Sequence, residues 1–252
     1  MRNLKSSLLA GAIIFASASP TLAEEDGMIR ARIGLSSNDF TTLWSGGDLK
    51  TDYMSLNLGA TYITPSAFYF DLGFKQDTSA SWNTVELTDD FNDGKDEDYT
   101  RDDLTVTIGK VLDNGVQLFA GYQDSSATIA LPEISWVQET GSVEEEEMDV
   151  SGFFLGVGKS FKVGEGSINL NLAYGFMDGT LVDARGRSWD STDGDGYSLG
   201  ASYTRFLTER FSLNFEVKKQ KYSYEYDTGG LTILTSGDDE MTMIGANLVY
   251  QF

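Results

Sequence analysis

The feature that most constrains this chain is a two-residue hydrophobic period that recurs from Gly27 to the last residue, Phe252. A β-strand sends alternate side chains to opposite faces, so this period gives each run one greasy and one wet face. Between Tyr53 and Tyr62, the residues Met54, Leu56, Leu58, Ala60 and Tyr62 share one face, and Tyr53, Ser55, Asn57, Gly59 and Thr61 share the other. Past Pro65-Ser66 the pattern resumes with Phe68, Phe70, Leu72 and Phe74 against Tyr69, Asp71, Gly73 and Lys75, which predicts a hairpin. Similar runs at 27–37, 101–111, 116–123, 150–161, 167–177, 197–205, 211–222 and 241–252 bring the total to about ten. Each is close to the ~9–11 residues that cross a bilayer at a tilt, whereas no segment has the ~20 continuous apolar residues of a membrane helix. If this chain spans a membrane, it does so as strands.

The connections between the runs are of two kinds. Tight turns are predicted at Pro65-Ser66, Asp113-Asn114-Gly115, Val163 to Gly166 and Thr208-Glu209. They alternate with five long segments, 38–52, 77–103, 124–149, 178–195 and 227–240, which hold 30 of the 39 acidic residues and 5 of the 18 basic ones. Short connections on one side and long ones on the other are how spanning barrels are built.

The first 23 residues read as a secretory signal, with Arg2 and Lys5 as the positive start, Leu8 to Ala18 as the apolar stretch and Thr21-Leu22-Ala23 as the cleavage site. The apolar stretch is about half the length that a membrane helix requires. The expected mature chain, 24–252, is one domain, because no Pro-rich or Ser-rich linker divides it. With no Cys, an exported chain has no disulfide scaffold and no thiol chemistry, and a lipoprotein anchor is excluded. The formal charge of -21 argues against nucleic acid as a partner, since phosphates call for clustered Lys and Arg.

The end of the chain is the most specific signal. Ile244, Ala246, Leu248, Tyr250 and Phe252 alternate with Met243, Gly245, Asn247, Val249 and Gln251, and the last residue is aromatic. Together with the signal and the strand pattern, this resembles the bacterial outer-membrane β-barrels, whose carboxy-terminal signature, here Leu248, Tyr250 and Phe252, is recognised by the barrel-assembly machinery. The resemblance implies an all-β, up-and-down antiparallel barrel of about ten strands, with eight or twelve as alternatives, residing in the outer membrane among lipid and lipopolysaccharide. Short turns then face the periplasm and long acidic loops the exterior. A soluble β-sandwich also alternates, but it has no reason to end as this chain ends. Aromatics at two levels agree with the membrane reading: Tyr62, Phe68, Phe161, Phe211, Tyr250 and Phe252 near the short turns, and Phe74, Tyr122, Phe153, Phe176 and Tyr197 near the long segments.

The chain contains no His. Barrel enzymes of lipid A modification, phospholipid hydrolysis and surface proteolysis resemble one another in relying on a His paired with Ser or Asp, a constellation this chain does not match. A non-enzymatic role follows as the expectation, with no cofactor. The inward-facing charges form the first candidate site: Arg30 and Arg32, Asp71 and Lys75, Glu216 and Lys218. They read either as a salt-bridge network filling a narrow barrel or as the lining of a conduction path. Small inward residues such as Gly59, Gly121, Gly156 and Gly200 leave space, unless bulky neighbours such as Phe119 or Phe154 occupy it. The first expectation is a narrow, passive, porin-like channel for small solutes; the alternative is a surface adhesin or structural envelope protein using the acidic loops.

The acidic segments offer a second candidate. Carboxylates at close spacing suit hard divalent cations, and Glu144, Glu145, Glu146 and Glu147, with Asp190, Asp193 and Asp195, are the candidate ligands. The Asp190–Gly196 stretch has the start of a calcium loop, but Ser202 stands where its closing Glu belongs, so solvated charge is the plainer reading. Trp82, Trp136 and Trp189 fall in the long segments and read as anchors for a partner or as packing within their own loops.

Overall fold

A computed structural model describes residues 27–252 apart from 45–46, 79–83, 88–97, 131–144, 183–185 and 227–235. The regular structure of those residues is β1 (Met28–Trp44), β2 (Gly47–Ile63), β3 (Phe68–Asp77), β4 (Thr84–Leu87), β5 (Asp98–Val111), β6 (Val116–Ala130), β7 (Glu145–Val163), β8 (Gly166–Val182), β9 (Ser188–Phe206), β10 (Phe211–Tyr226) and β11 (Ser236–Gln251). All ladders are antiparallel and join strands consecutive in the chain, except that β4 pairs with β2 and β3 with β5; β1 pairs with both β2 and β11, so the sheet closes on itself. The β2–β4 ladder, Leu49↔Leu87 to Asp52↔Thr84, lies above the β2–β3 ladder that ends at Ser55↔Asp77. Thus β3 and β4 share one place in the wall, and the barrel has ten positions around its circumference.

The tight turns form where the sequence places them. Ala67, at a φ of 61°, closes the β2–β3 turn, where the Thr64 amide donates to the Phe68 carbonyl at 2.7 Å. Gly115 takes a φ of 77° in the β5–β6 turn and Gly164 a φ of 59° between β7 and β8, a region that glycine enters without the Cβ penalty. Between β9 and β10 the Thr208 hydroxyl accepts from the Phe211 amide at 3.0 Å.

The two faces of the wall are inverted relative to a soluble sandwich. Ile33, Leu58, Phe70, Leu118, Leu155, Leu172, Leu199, Phe215 and Ile244 point outward and are exposed, while Ser36, Asn38, Thr105, Asp103 and Lys75 point inward and are buried. Exposed apolar side chains on this scale are favourable only against lipid, and closure leaves no unpaired strand edge to the bilayer. Both aromatic belts face outward: Phe68, Phe161, Phe211 and Phe252 are exposed near the short turns, and Phe153, Phe176 and Tyr197 near the other end.

The strands run further than expected. Apart from β3 and β4, they are 14 to 19 residues long rather than the length of a simple crossing. Much of the sequence expected to be long loops is therefore strand. The outward face turns from apolar to acidic at Asp39, Asp52, Asp102, Asp124, Asp149, Asp178 and Asp195, one on each of seven strands, but the ladder continues above them. Loss of the greasy face marks the end of the lipid and not the end of the hydrogen bonding. Above the aspartates the strands form a collar that stands clear of the apolar band.

Candidate functional site in the lumen

Each of the six charges expected to face inward does so. Arg30, near the short-turn mouth, donates from Nε to Gln251 Oε1 at 3.3 Å. Arg32 grips Asp71 with both guanidinium amines, at 2.7 and 2.8 Å, and the Thr61 hydroxyl donates to the same carboxylate. Thr61 and Asp71 are cross-strand partners, as are Arg32 and Gly59, so the missing side chain at Gly59 is the place where the guanidinium lies. This is the fork-on-carboxylate geometry that makes such pairs specific.

Higher in the lumen Lys75 pairs with Asp103 at 3.2 Å, and Arg101 Nε donates to Asp103 at 2.8 Å. Sequence reasoning missed Arg101 and Asp103. The signal was present, because Arg101, Asp103, Thr105 and Thr107 alternate with Asp102, Leu104, Val106 and Ile108 at the start of the expected run 101–111, but the acidic segment 77–103 overlaps that start and the two charges were not assigned to the lumen. Glu216 accepts from Asn247 Nδ2 at 2.8 Å. Among the described residues Lys218 makes no hydrogen bond or ion pair, and the charges that face it are Lys75, Asp103, Glu216 and Arg101.

Side chains bridge the lumen at several levels. Phe40 of β1 stacks on Tyr99 of β5 with ring centroids 5.8 Å apart, and Arg101 lies 5.2 Å over the Phe40 ring. Lys75 of β3 reaches Met241 of β11, Nζ to Sδ, at 3.7 Å. The Tyr222 hydroxyl of β10 donates to Gln123 of β6 at 3.1 Å and accepts from Gln220. Inward glycines are filled in the same manner: a Cβ at Gly121 would strike the Phe154 ring, one at Gly156 the Phe119 ring and one at Gly196 the Tyr222 ring. Between these bridges a small cavity with room for a water molecule is lined by Gln123, Phe154, Ala173, Met177, Ser198 and Tyr222. The interior is thus packed, and the deep burial of Lys75, Asp103 and Lys218, each 1–2% exposed, means that bulk water does not run past them.

The outer face above the lipid is electrostatically paired. Lys221 donates to Asp238 at 2.8 Å, and Lys219 lies 2.9 Å from Glu240. These contacts hold the Lys221 and Lys219 ammoniums above the ordinary lysine value, and they hold the Asp238 and Glu240 carboxyls below the ordinary carboxylate range.

The candidate cation ligands are placed differently from the expectation. Asp190, Asp193 and Asp195 lie on β9, and Glu145, Glu146 and Glu147 on β7, so none of these six belongs to a loop; Glu144 is outside the described residues. Asp190 accepts from the Thr180 hydroxyl at 2.9 Å, and Asp195 from the Tyr174 hydroxyl at 2.6 Å. Among the described residues no group of three or more carboxylates converges on a metal position. Trp189 is covered by the Arg187 guanidinium at 5.1 Å, while Trp82 and Trp136 are outside the described residues. At the other end, Leu248 and Phe252 face outward, Tyr250 packs against Phe211 and Phe252, and the Phe252 amide closes the ring by donating to the Ile29 carbonyl at 2.9 Å.

The architecture is that of the bacterial outer-membrane β-barrels. The outer membrane protease OmpT from Escherichia coli is similar over 92% of this chain and 99% of its own, with a TM-score of 0.62 at 14% identity. Neisserial surface protein A, at 11% identity, covers 88% of this chain and 97% of its own with a TM-score of 0.39. OprG from Pseudomonas aeruginosa, at 13% identity, covers 92% and 98% with a TM-score of 0.36. No family model matches the chain, and no curated protein matches it. At these identities the likeness is one of fold.

Proposed function

We propose that this chain is a non-enzymatic outer-membrane barrel whose working part is the collar and the segments attached to it, with the lumen closed at rest. The observation that carries this reading is the bridging of the lumen by Phe40–Tyr99, Lys75–Met241 and Tyr222–Gln123 around charges that bulk water does not reach. A packed interior supports display at the cell surface or a structural role in the envelope. Catalysis lacks support, since the chain has no His and Asp71, Asp103 and Glu216 are engaged by Arg32, Lys75, Arg101 and Asn247. Lipid and lipopolysaccharide surround the band, the barrel-assembly machinery reads Leu248, Tyr250 and Phe252, and divalent cations bridge the outward aspartates to neighbouring anions.

The second reading is a narrow passive channel, favoured by the buried hydroxyls of Thr105, Thr107, Ser198 and Ser202, which have no hydrogen-bond partner among the described residues and suit a wetted wall. Planar-bilayer recording separates the two. The native protein is expected to be silent, and Tyr222→Ala combined with Tyr99→Ala to give discrete conductance. Steady conductance from the native protein makes the channel the function. Whole-cell adhesion, compared between wild type and a deletion of 131–144, tests the surface role, and unchanged adhesion removes that segment from it.

A further inference from the structure

The outer face of the wall carries opposite charge at its two ends. At the long-segment end the outward strand positions bear the row of aspartates, and Lys219 and Lys221 there are engaged by Glu240 and Asp238. At the short-turn end the charged residues on outward strand positions are Lys110 of β5, Lys159 of β7 and Arg205 of β9, all of them cations. The carboxylate side chains of this end lie in the turns, at Asp113, Glu165 and Glu209. Glu165 stands 4.0 Å from Arg205. Among the described residues no carboxylate lies within 4 Å of Lys110 or Lys159.

The two lysines are set at the height of the lipid head groups. Lys110 Nζ lies 4.6 Å from the centre of the Phe68 ring and Lys159 Nζ 5.9 Å from that of Phe161, and both rings belong to the outward aromatic belt. Such belts mark the boundary between bilayer and water, and a lysine stem lying on apolar surface brings its ammonium to that level. Lys159 also donates to the Asn114 carbonyl in the β5–β6 turn, which leaves it two further N–H donors. The register sets Lys110 opposite Leu118 and Lys159 opposite Val116, so the pair flanks β6 across two strand spacings, about 10 Å. Ile108, Leu118 and Val157 continue the same face as exposed apolar surface toward the middle of the band. A phospholipid lying on β6 therefore has its chains on that surface and an ammonium on either side of its head group. In this sector Lys110, Lys159 and Lys162 stand against Asp113, with Glu165 beside Arg205, so the balance is positive. A zwitterionic head group leaves that surplus in place and an anionic one offsets it.

We propose that the outer face of β5 to β7 at the short-turn end is a docking surface for an anionic phospholipid of the adjoining leaflet, with Lys110 and Lys159 flanking its head group. The row of aspartates at the other end repels the same lipid, so the preference belongs to one leaflet. The surface requires only that the barrel lies in a bilayer. It is indifferent to whether the lumen is closed or conducting, so the planar-bilayer recording that decides the lumen does not bear on it.

The test is native mass spectrometry of the full chain, released from detergent after incubation with phosphatidylglycerol and phosphatidylcholine of the same acyl chains in equal amounts. The native protein is expected to retain phosphatidylglycerol several-fold over phosphatidylcholine as its first bound lipid. Lys110→Gln with Lys159→Gln is expected to remove that preference, and Lys110→Arg with Lys159→Arg to keep it. Lys219→Gln with Lys221→Gln, at the opposite end, is expected to leave it unchanged. Equal retention of the two lipids by the native protein overturns the proposal. So does a preference that survives the Lys110 and Lys159 glutamine variant, or one that is lost in the Lys219 and Lys221 variant instead. Should the first double variant fail to fold, Lys110→Gln and Lys159→Gln are each expected to lower the preference, and no change in either overturns the proposal.

Discussion

The barrel has two unlike walls. One, built from β10, β11, β1, β2, β3 and β5, carries Arg32, Asp71, Lys75, Arg101, Asp103, Glu216 and Lys218 on its inner face. The other, β6 to β9, presents Gln, Ser, Asn, Ala and Gly between 117 and 127, 150 and 160, 167 and 179, and 196 and 204, with Phe119, Phe154 and Met177 as its bulk. The charged wall is held by pairing, in which Asp71 answers Arg32, Asp103 answers Lys75 and Arg101, and Glu216 accepts from Asn247. The neutral wall is held by shape, in which a glycine receives a ring. A closed polypeptide cylinder can therefore be filled by two different physical routes, and the routes fail differently: pairing fails when a partner is removed, and shape fails when a methyl group is added.

That contrast is most exposed to test at Asp71. Asp71→Ala leaves Arg32 buried without its carboxylate and is expected to cost about 3–5 kcal/mol, the usual penalty for breaking a buried pair from one side. Urea unfolding of the barrel in lipid vesicles measures it, and Arg32→Met with Asp71→Leu is expected to recover most of the loss. On the neutral wall Gly156→Ala drives a Cβ into the Phe119 ring and against the Leu172 carbonyl and is expected to cost about 1–3 kcal/mol, relieved in part by Phe119→Leu. Equal costs at the two sites, or no relief from Phe119→Leu, breaks the distinction between the walls.

Smaller effects sharpen it. Tyr222→Phe removes the bond to Gln123 that joins the two walls and is expected to cost about 1 kcal/mol. Its ring still fills Gly196, so the same unfolding assay is expected to place it well below Gly156→Ala. Outside the lipid the Lys221–Asp238 and Lys219–Glu240 pairs are solvated and contribute least. Because Asp238 and Glu240 sit below the ordinary carboxylate range when folded, their contribution is present above that range and is lost as pH falls through their lowered values. Carboxyl titration by NMR is expected to show Asp238 rising toward the ordinary value in Lys221→Met, with no resolvable change in unfolding. A titration that stays in place would show that Lys221 is not what holds it down.

The faces of the strands were legible because the pleat has an exact period of two, so Met54 and Leu58 could be sent outward and Asn57 and Thr61 inward from the letters alone. The closing of the ring and the placement of the four tight turns were legible for related reasons, in the turn residues and the even count of runs. The height of the strands was not, since the greasy face that marks a strand in lipid vanishes at the aspartates while the backbone pairing goes on. Arg101 and Asp103, at the start of the expected run 101–111, were passed over as lumen charges because the acidic segment 77–103 overlaps it. Contacts across the lumen, such as Lys75 with Met241 or Tyr222 with Gln123, join residues more than 95 positions apart on strands that are not neighbours, and no local pattern encodes them.

The collar gives the molecule a stand-off distance. From Gly194 to Ser188, β9 carries seven residues past the acidic boundary, which at about 3.3 Å per residue and a tilt of ~40° is roughly 18 Å of strand, with one register shift against β8. The described strands β4, β6, β8 and β10 end at that rim, at Leu87, Ala130, Val182 and Tyr226, and not at the lipid surface. A contact made on that rim is made at arm's length from the membrane.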